Sequence, residues 1–275
     1  MLLLTSSGMC AQTKSVHDID LWPKGLPNTN GIDSAPFDDS KRNFKPSIRV
    51  FLPVNPDGRA VIACPGGGYS GLAMDHEGYD WAEFFNKQGI ALIVLKYRMP
   101  HNNKDVPMSD VAEAFRVTRD MARQWGIKKN RIGIMGSSAG GHLASTYATH
   151  SKRKVAPAFQ ILFYPVISMD ESKSHKGSCQ NFLSKNPSPE EIALYSNANA
   201  VTKRTCPAIM LLSDDDTAVP PSNSYDYSHA LVRAGVHATV VNFPTGGHGW
   251  GYRASFAYHQ AVLDALSAWL DKFSR

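Results

Sequence analysis

The stretch Arg131-Ile132-Gly133-Ile134-Met135-Gly136-Ser137-Ser138-Ala139-Gly140-Gly141-His142 changes character in its middle. Its first five residues form a short apolar run of the kind that becomes a strand buried on both faces, and the residues after Gly140 are Ala-rich and read as a helix. Between the two lies Gly136-Ser137-Ser138-Ala139-Gly140, a Gly-x-Ser-x-Gly turn that carries Ser138 at its apex. The glycines have a steric reason. The turn holds Ser138 in a strained conformation, and a Cβ at either flank would clash with the neighbouring strand and helix. Outward from this point, short apolar runs alternate with longer amphipathic ones. That is the pattern of an α/β domain: a mostly parallel central sheet with helices on both faces.

The predicted strands are 48–52, 60–64, 91–97, 131–135, 159–164, 208–212 and 239–243. Helices are expected between them. Asp75 can cap one reaching about Lys87, with Gly89 at its end, and Ser109 caps the next. In that second helix Val111, Ala114, Phe115, Thr118, Met121, Ala122 and Trp125 recur at three and four residues, and Gly126 stops it. Further helices are expected over 139–148, 222–234 and 254–273. Two segments depart from the alternation. Residues 13–45, rich in Pro, Asn, Asp and Gly and anchored by Leu21-Trp22-Pro23, read as an extended strap over the surface. Residues 167–207 form a small insert before the acid-bearing strand, with a short helix begun by Pro187-Ser188-Pro189-Glu190-Glu191, and inserts of this length commonly cover a site as a lid. The catalytic domain then spans 46–275, with no internal repeat.

A serine presented on a strand–turn–helix resembles the nucleophile elbow of the α/β-hydrolases, and that resemblance directs attention to two other loops. Pro65-Gly66-Gly67-Gly68-Tyr69 follows the 60–64 strand, where lipases and esterases of this fold carry a His-Gly-Gly-Gly-type loop; here Pro65 replaces the histidine. The N–H groups of Gly67 and Gly68, with that of Ala139, are assigned to an oxyanion hole. The fold supplies its triad in the order Ser, acid, His. After Ser138 comes Ser213-Asp214-Asp215-Asp216 with Val219-Pro220, and Asp216 fits best because Asp-x-x-Val-Pro is the form in which such enzymes present the acid; Asp215 is the alternative. Of ten histidines, His248 follows the final strand in Gly246-Gly247-His248-Gly249. His142 reads as structural, and His229, His237 and His259 as surface or packing residues. Ser138 would then be the nucleophile, His248 the general base and Asp216 the group that fixes its tautomer.

Over most of residues 18–270 the chain resembles the acetyl-xylan-esterase-like branch of the α/β-hydrolases, near the hormone-sensitive-lipase and feruloyl-esterase-like proteins. The resemblance rests on Leu21-Trp22-Pro23, Pro65-Gly66-Gly67-Gly68-Tyr69, His76-Glu77-Gly78, Leu95-Lys96-Tyr97-Arg98, Arg131-Ile132-Gly133, the elbow with Gly141-His142, Asn186-Pro187-Ser188-Pro189 and Gly246-Gly247-His248-Gly249. It implies hydrolysis of short acyl esters, typically acetate on xylan, xylo-oligosaccharides or small acetylated compounds, without metal or organic cofactor. A broader carboxylesterase, a longer-chain lipase or a peptidase of the same fold is the alternative. Tyr69, beside the oxyanion loop, and Trp250 with Tyr252, after His248, either offer aromatic faces to a sugar or pack in the core. His76 and Glu77 border the entrance or serve the helix dipole.

Composition narrows the remaining classes. Of 275 residues 43% are hydrophobic and 19% charged, which argues against wholesale disorder and fibrous repeats. The net charge of +5 is spread along the chain, and its densest runs, Lys152-Arg153-Lys154 and Lys128-Lys129 with Arg131, are short. No nucleic-acid partner is expected. No run approaches the ~18 apolar residues of a membrane span. Residues 1–12, with Met1-Leu2-Leu3-Leu4 ahead of a Ser- and Ala-containing stretch, read as a signal remnant and a periplasmic or secreted protein, or else as a frayed terminus of a cytoplasmic one. Four irregularly spaced cysteines exclude a disulfide framework or a Cys-x-x-Cys zinc site. Cys179 with Cys206 is a conceivable bridge in an exported protein, and Cys10 a weak lipid-anchor position.

Overall fold

A computed structural model describes residues 13–273. The signal-remnant reading of residues 1–12, and the Cys10 anchor with it, lie outside the described residues. Eight strands form one sheet in the order β1-β2-β4-β3-β5-β6-β7-β8. They are β1 (Thr13–Asp20), β2 (Ser47–Pro53), β3 (Ala60–Cys64), β4 (Ala91–Lys96), β5 (Ile132–Ser137), β6 (Gln160–Phe163), β7 (Ala208–Ser213) and β8 (Ala238–Phe243). β1 pairs antiparallel with β2 and β2 antiparallel with β4; every later pairing is parallel. The helices are α1 (Ala82–Lys87), α2 (Asp105–Asp120), α3 (Ala122–Trp125), α4 (Ala139–His150), α5 (Lys176–Phe182), α6 (Pro189–Tyr195), α7 (Ser222–Arg233) and α8 (His259–Leu270). None of them is long and apolar enough to cross a membrane.

The continuous apolar run of β3 follows from its place in the middle of the sheet, where both faces are covered. Ala60, Ile62 and Cys64 join Val111, Phe115 and Leu143 in one core, while Val61 and Ala63 join Trp81, Phe85 and Trp269 in the other. Successive residues of a strand point to opposite faces, so one five-residue segment serves both cores. Each buried Val, Leu, Ile or Phe contributes about 1.5–3 kcal/mol.

The seven strands expected from apolar runs are present, with ends differing by a residue or two. The segment read as a surface strap departs from that reading: its first part is β1, an edge strand whose exposed Val16 and alternating charges supply no apolar face for a sequence pattern to register. The rest of the strap is bolted to the domain. Trp22 Nε1 donates to Asp110 Oδ1 at 2.7 Å, and the buried Arg98 guanidinium donates to Asp110, to Asp33 and to the Asn28 carbonyl.

Helix starts differ more. α2 begins at Asp105, four residues before the expected cap, with Pro107 in its first turn; Ser109 Oγ instead donates to the Val106 carbonyl. A break at Met121 separates α3, which Gly126 ends in the left-handed conformation. The helix expected from Asp75 is turns and a 3-10 segment until Ala82, and that expected over 254–273 begins at His259. The insert contains α6, capped by Ser188 whose side chain accepts from the Glu191 N–H, and also α5, which has no apolar stripe long enough to announce it. Cys179 and Cys206 are both free thiols, which corrects the bridge considered from sequence. Cys179 sits in α5 with its Sγ against the Ser168 carbonyl, Cys206 lies just before β7, and burial pushes both thiols up to about 12.

Candidate active site

β5 ends in the elbow at the centre of the sheet. Ser138 has φ 53° and ψ −122°, a conformation costly for a residue with a Cβ and held by its surroundings. Its N–H donates to the Phe163 carbonyl at 3.0 Å, and its carbonyl accepts from Val166 N–H at 3.0 Å. The flanking glycines are forced by contact: a Cβ on Gly136 would stand 2.2 Å from the Gly140 carbonyl oxygen, and one on Gly140 would stand 2.0 Å from that of Cys64. Strand β3 and helix α4 thus close on the turn from two sides.

Three loops at the carboxyl ends of the strands meet at Ser138. The loop after β8 brings His248, whose Nε2 lies 2.8 Å from Ser138 Oγ. The loop after β7 brings Asp216, whose Oδ2 lies 2.7 Å from His248 Nδ1. Asp216 is 4% exposed, and its other oxygen accepts from the N–H groups of Ala218 and Val219, both at 2.9 Å. An ionised carboxylate so held requires the proton on Nδ1 and leaves Nε2 to accept from the serine hydroxyl. Asp215, the alternative acid, instead accepts from the N–H groups of Gly246 and Gly247 and so braces the histidine loop. The third loop, after β3, carries the glycines. A Cβ on Gly66 would come within 3.0 Å of Ser138 Cβ, which places this loop against the nucleophile. Among the described residues the N–H groups of Gly67, Gly68 and Ala139 have no protein acceptor; that of Ala139 is an orphan because it opens α4.

Of the three aromatic residues that either offer a face to a sugar or pack in the core, Tyr69 and Trp250 are core residues, and Tyr252 is half-buried with its ring edge-on to Trp81. Tyr69 is 1% exposed, stacks on Phe182 at 4.8 Å and has its hydroxyl 2.8 Å from His142 Nδ1. Trp250 is 4% exposed, stacks on Phe256 at 4.2 Å and donates from Nε1 to Ser213 Oγ. Neither has a face to offer, because large rings next to a glycine-rich loop fill the space its missing side chains leave. A cavity of about 920 Å³ lies in the insert, lined by Met169, Leu183, Ile192 and Asn223 among others, and no triad residue lines it.

Glu77, Tyr164 and His175 hold positions that the reading of the sequence did not assign to them. Glu77, left by that reading between the entrance and the helix dipole, is 3% exposed: its Oε2 accepts from Gly66 N–H at 2.7 Å and its Oε1 from the Tyr164 hydroxyl at 2.7 Å. Tyr164 in turn accepts from Gly251 N–H at 2.8 Å and sets its ring edge against His248. The chain Gly66–Glu77–Tyr164–Gly251 therefore couples the glycine loop to the histidine loop. His142, correctly read as structural, joins Tyr69 to the insert through its Nε2 and the Tyr195 carbonyl at 2.8 Å. His175 is the third; it caps α5, and its Cε1 would be 3.3 Å from a Cβ on Gly68. The glutamate had a signal in His-Glu-Gly beside the glycine loop, whereas nothing local marks His175.

Comparison with known proteins gives the family of the chain. Residues 49–231 match the family model BD-FAE. The chain is 47% identical over 230 residues to an acetylxylan esterase of Xylanibacter ruminicola, the match covering 82% of this chain and 48% of that protein. It is 29% identical to endo-1,4-beta-xylanase B of Butyrivibrio fibrisolvens, over 77% of this chain and 35% of the other. The chain thus spans about half or less of these relatives' length. Among solved structures, an acetyl ester-xyloside bifunctional hydrolase from Caldicellulosiruptor lactoaceticus superposes with a TM-score of 0.80 at 31% identity, covering 97% of this chain and 98% of the other.

Proposed function

The chain belongs to the BD-FAE family of α/β-hydrolases, and on that footing we propose that it is a serine esterase that removes acetyl groups from acetylated carbohydrate such as xylan or xylo-oligosaccharides. The observation that carries the chemistry is the hydrogen-bonded line from Asp216 through His248 to Ser138, at 2.7 and 2.8 Å. The 47% identity to an acetylxylan esterase supports the choice of ester.

In this mechanism His248 Nε2 takes the Ser138 proton as Oγ attacks the acetyl carbonyl. The carbonyl oxygen becomes an oxyanion facing the N–H groups of Gly67, Gly68 and Ala139, each typically worth about 2.7–4 kcal/mol of barrier. Imidazolium, stabilised by Asp216, then hands its proton to the departing sugar oxygen, leaving an acetyl-enzyme. Water then attacks the acetyl carbonyl as His248 takes its proton, and His248 returns that proton to Ser138 Oγ as the ester bond to the serine breaks and acetate leaves.

The test is acetate release from acetylated xylo-oligosaccharides by the protein and by Ser138→Ala. Release that disappears in the variant supports both nucleophile and substrate. Activity on phenyl acetate or longer esters with none on the carbohydrate moves the assignment to a general carboxylesterase.

A further inference from the structure

His175 belongs to the insert, yet its surroundings belong to the active site. It is half-buried, and its ring lies beside Gly68, close enough that a Cβ on Gly68 would stand 3.3 Å from Cε1. Six residues on, Asn181 Nδ2 donates to the Gly68 carbonyl at 2.9 Å, so α5 and its cap grip the glycine loop at two points. The ring's protonation is set from within the helix. Nδ1 accepts from the Ser178 N–H at 3.1 Å and has Ser178 Oγ at 2.8 Å. A backbone N–H can only donate, so Nδ1 carries no proton and the neutral ring keeps its hydrogen on Nε2. Protonating Nδ1 would set it against that donor. Burial, with the neighbouring imidazole of His248, further holds His175 below its ordinary value. Nε2–H has no acceptor among the described residues, although both donors to the ring's other nitrogen are in place.

A ring with one nitrogen locked as acceptor presents the other as a donor of fixed identity, beside the loop whose N–H groups face the reacting carbonyl. We propose that His175 Nε2–H forms a substrate subsite at the mouth of the active site, donating to a hydroxyl or ring oxygen of the sugar that carries the acetyl group. The subsite rests on the proposed carbohydrate esterase activity and names one determinant of it. It also gives the insert a role in selecting the alcohol part of the ester, of which the triad engages only the departing oxygen.

The test compares acetylated xylo-oligosaccharides with phenyl acetate, whose alcohol part offers no such oxygen. His175→Asn is the informative variant. An Asn oxygen can still cap α5 by accepting from Ser178 N–H, but the side chain is too short to place a donor where Nε2 stands. His175→Ala removes both. One neutral hydrogen bond is worth roughly a two- to tenfold change in binding. The expected result is that the ratio of kcat/KM for the acetylated sugar to that for phenyl acetate falls about fivefold in both variants, through KM. An equal loss on both substrates, leaving the ratio unchanged, overturns the subsite and makes His175 a support of the glycine loop. No change on either substrate overturns it as well. Failure of the wild-type protein on the sugar, with phenyl acetate cleaved, is a different outcome: it removes the carbohydrate reading and the subsite with it.

Discussion

Asp215 and Asp216 are adjacent in sequence and serve different atoms: one oxygen of Asp216 reaches the His248 ring, whereas Asp215 reaches only backbone N–H groups of the histidine loop. Asp216→Asn should therefore lower kcat on phenyl acetate by about 10³–10⁴-fold, the scale of losing tautomer control in a serine triad. Asp215→Asn should cost no more than about tenfold, and steady-state kinetics of the two variants would reverse the assignment if the losses were exchanged. A second residue-scale consequence concerns His142, which is fully buried between the Tyr69 hydroxyl and the Tyr195 carbonyl and held by that burial down to about 4 from 6.5. The unfolded chain takes up a proton at this histidine that the folded chain refuses. Stability is then intact above about pH 6.5 and declines as pH falls toward 4, by up to about 3 kcal/mol, levelling off below that. His142→Gln should show a shallower acid decline in urea denaturation between pH 7 and 4.5. The candidate triad, whose side chains the structure brings into hydrogen-bond contact, could be picked out in sequence because each member sits in a glycine-marked or acid-marked loop after an apolar run. Glu77 and His175 could not, because their roles come from contacts 11 and over 100 residues distant in sequence.

At the scale of elements, the elbow depends on three segments, β3, β5 with its turn and α4, approaching within backbone contact. Gly140→Ala would drive a Cβ to 2.0 Å from the Cys64 carbonyl oxygen, an atom fixed in the β3 ladder. Neither β3 nor α4 can retreat without moving Ser138 from His248, so the variant should lose most activity and several kcal/mol of stability, if it folds at all. Gly71→Ala, in the same molecule, meets nothing within 4 Å and should stay within about 0.5 kcal/mol. Thermal melts and phenyl acetate turnover on the pair would separate steric demand from any general intolerance of alanine. The glycines of the elbow could be read in advance because their crowding follows from the turn alone. The strands of the central sheet were equally readable, since burial on both faces writes itself as an unbroken apolar run, as in Ala60–Cys64. β1 and α5 leave no such record: β1 holds its place by backbone pairing at an exposed edge, and α5 is a two-turn helix stabilised by the His175 cap and by Cys179 and Phe182.

The whole molecule is fastened by a feature that composition hides. Arg98 is completely buried just after β4, with Asp110 of α2 on one side and Asp33 of the N-terminal segment on the other, their side chains 0% and 1% exposed. Through this pair, and through Trp22 on Asp110, the segment following β1 is held to the helical layer that also supports α4 and its serine. The arrangement was invisible in sequence because Leu95-Lys96-Tyr97-Arg98 reads as a strand end and its two acids are 65 and 12 residues away. Burial raises Asp110 from its ordinary value despite its guanidinium partner. Removing that partner leaves two carboxylates without compensation, a loss of about 3–5 kcal/mol for a buried pair. Arg98→Met, which keeps the apolar volume, should accordingly destabilise the protein by that amount near pH 8. It should do so less near pH 5, because an orphaned buried acid can then take up a proton instead of remaining charged. If the N-terminal segment is released as a unit, limited proteolysis of the variant should cut first between residues 23 and 43 while the wild-type segment resists. Equal resistance, with unchanged urea midpoints at both pH values, would show that β1 pairing and Leu21 burial hold the segment without the ion network.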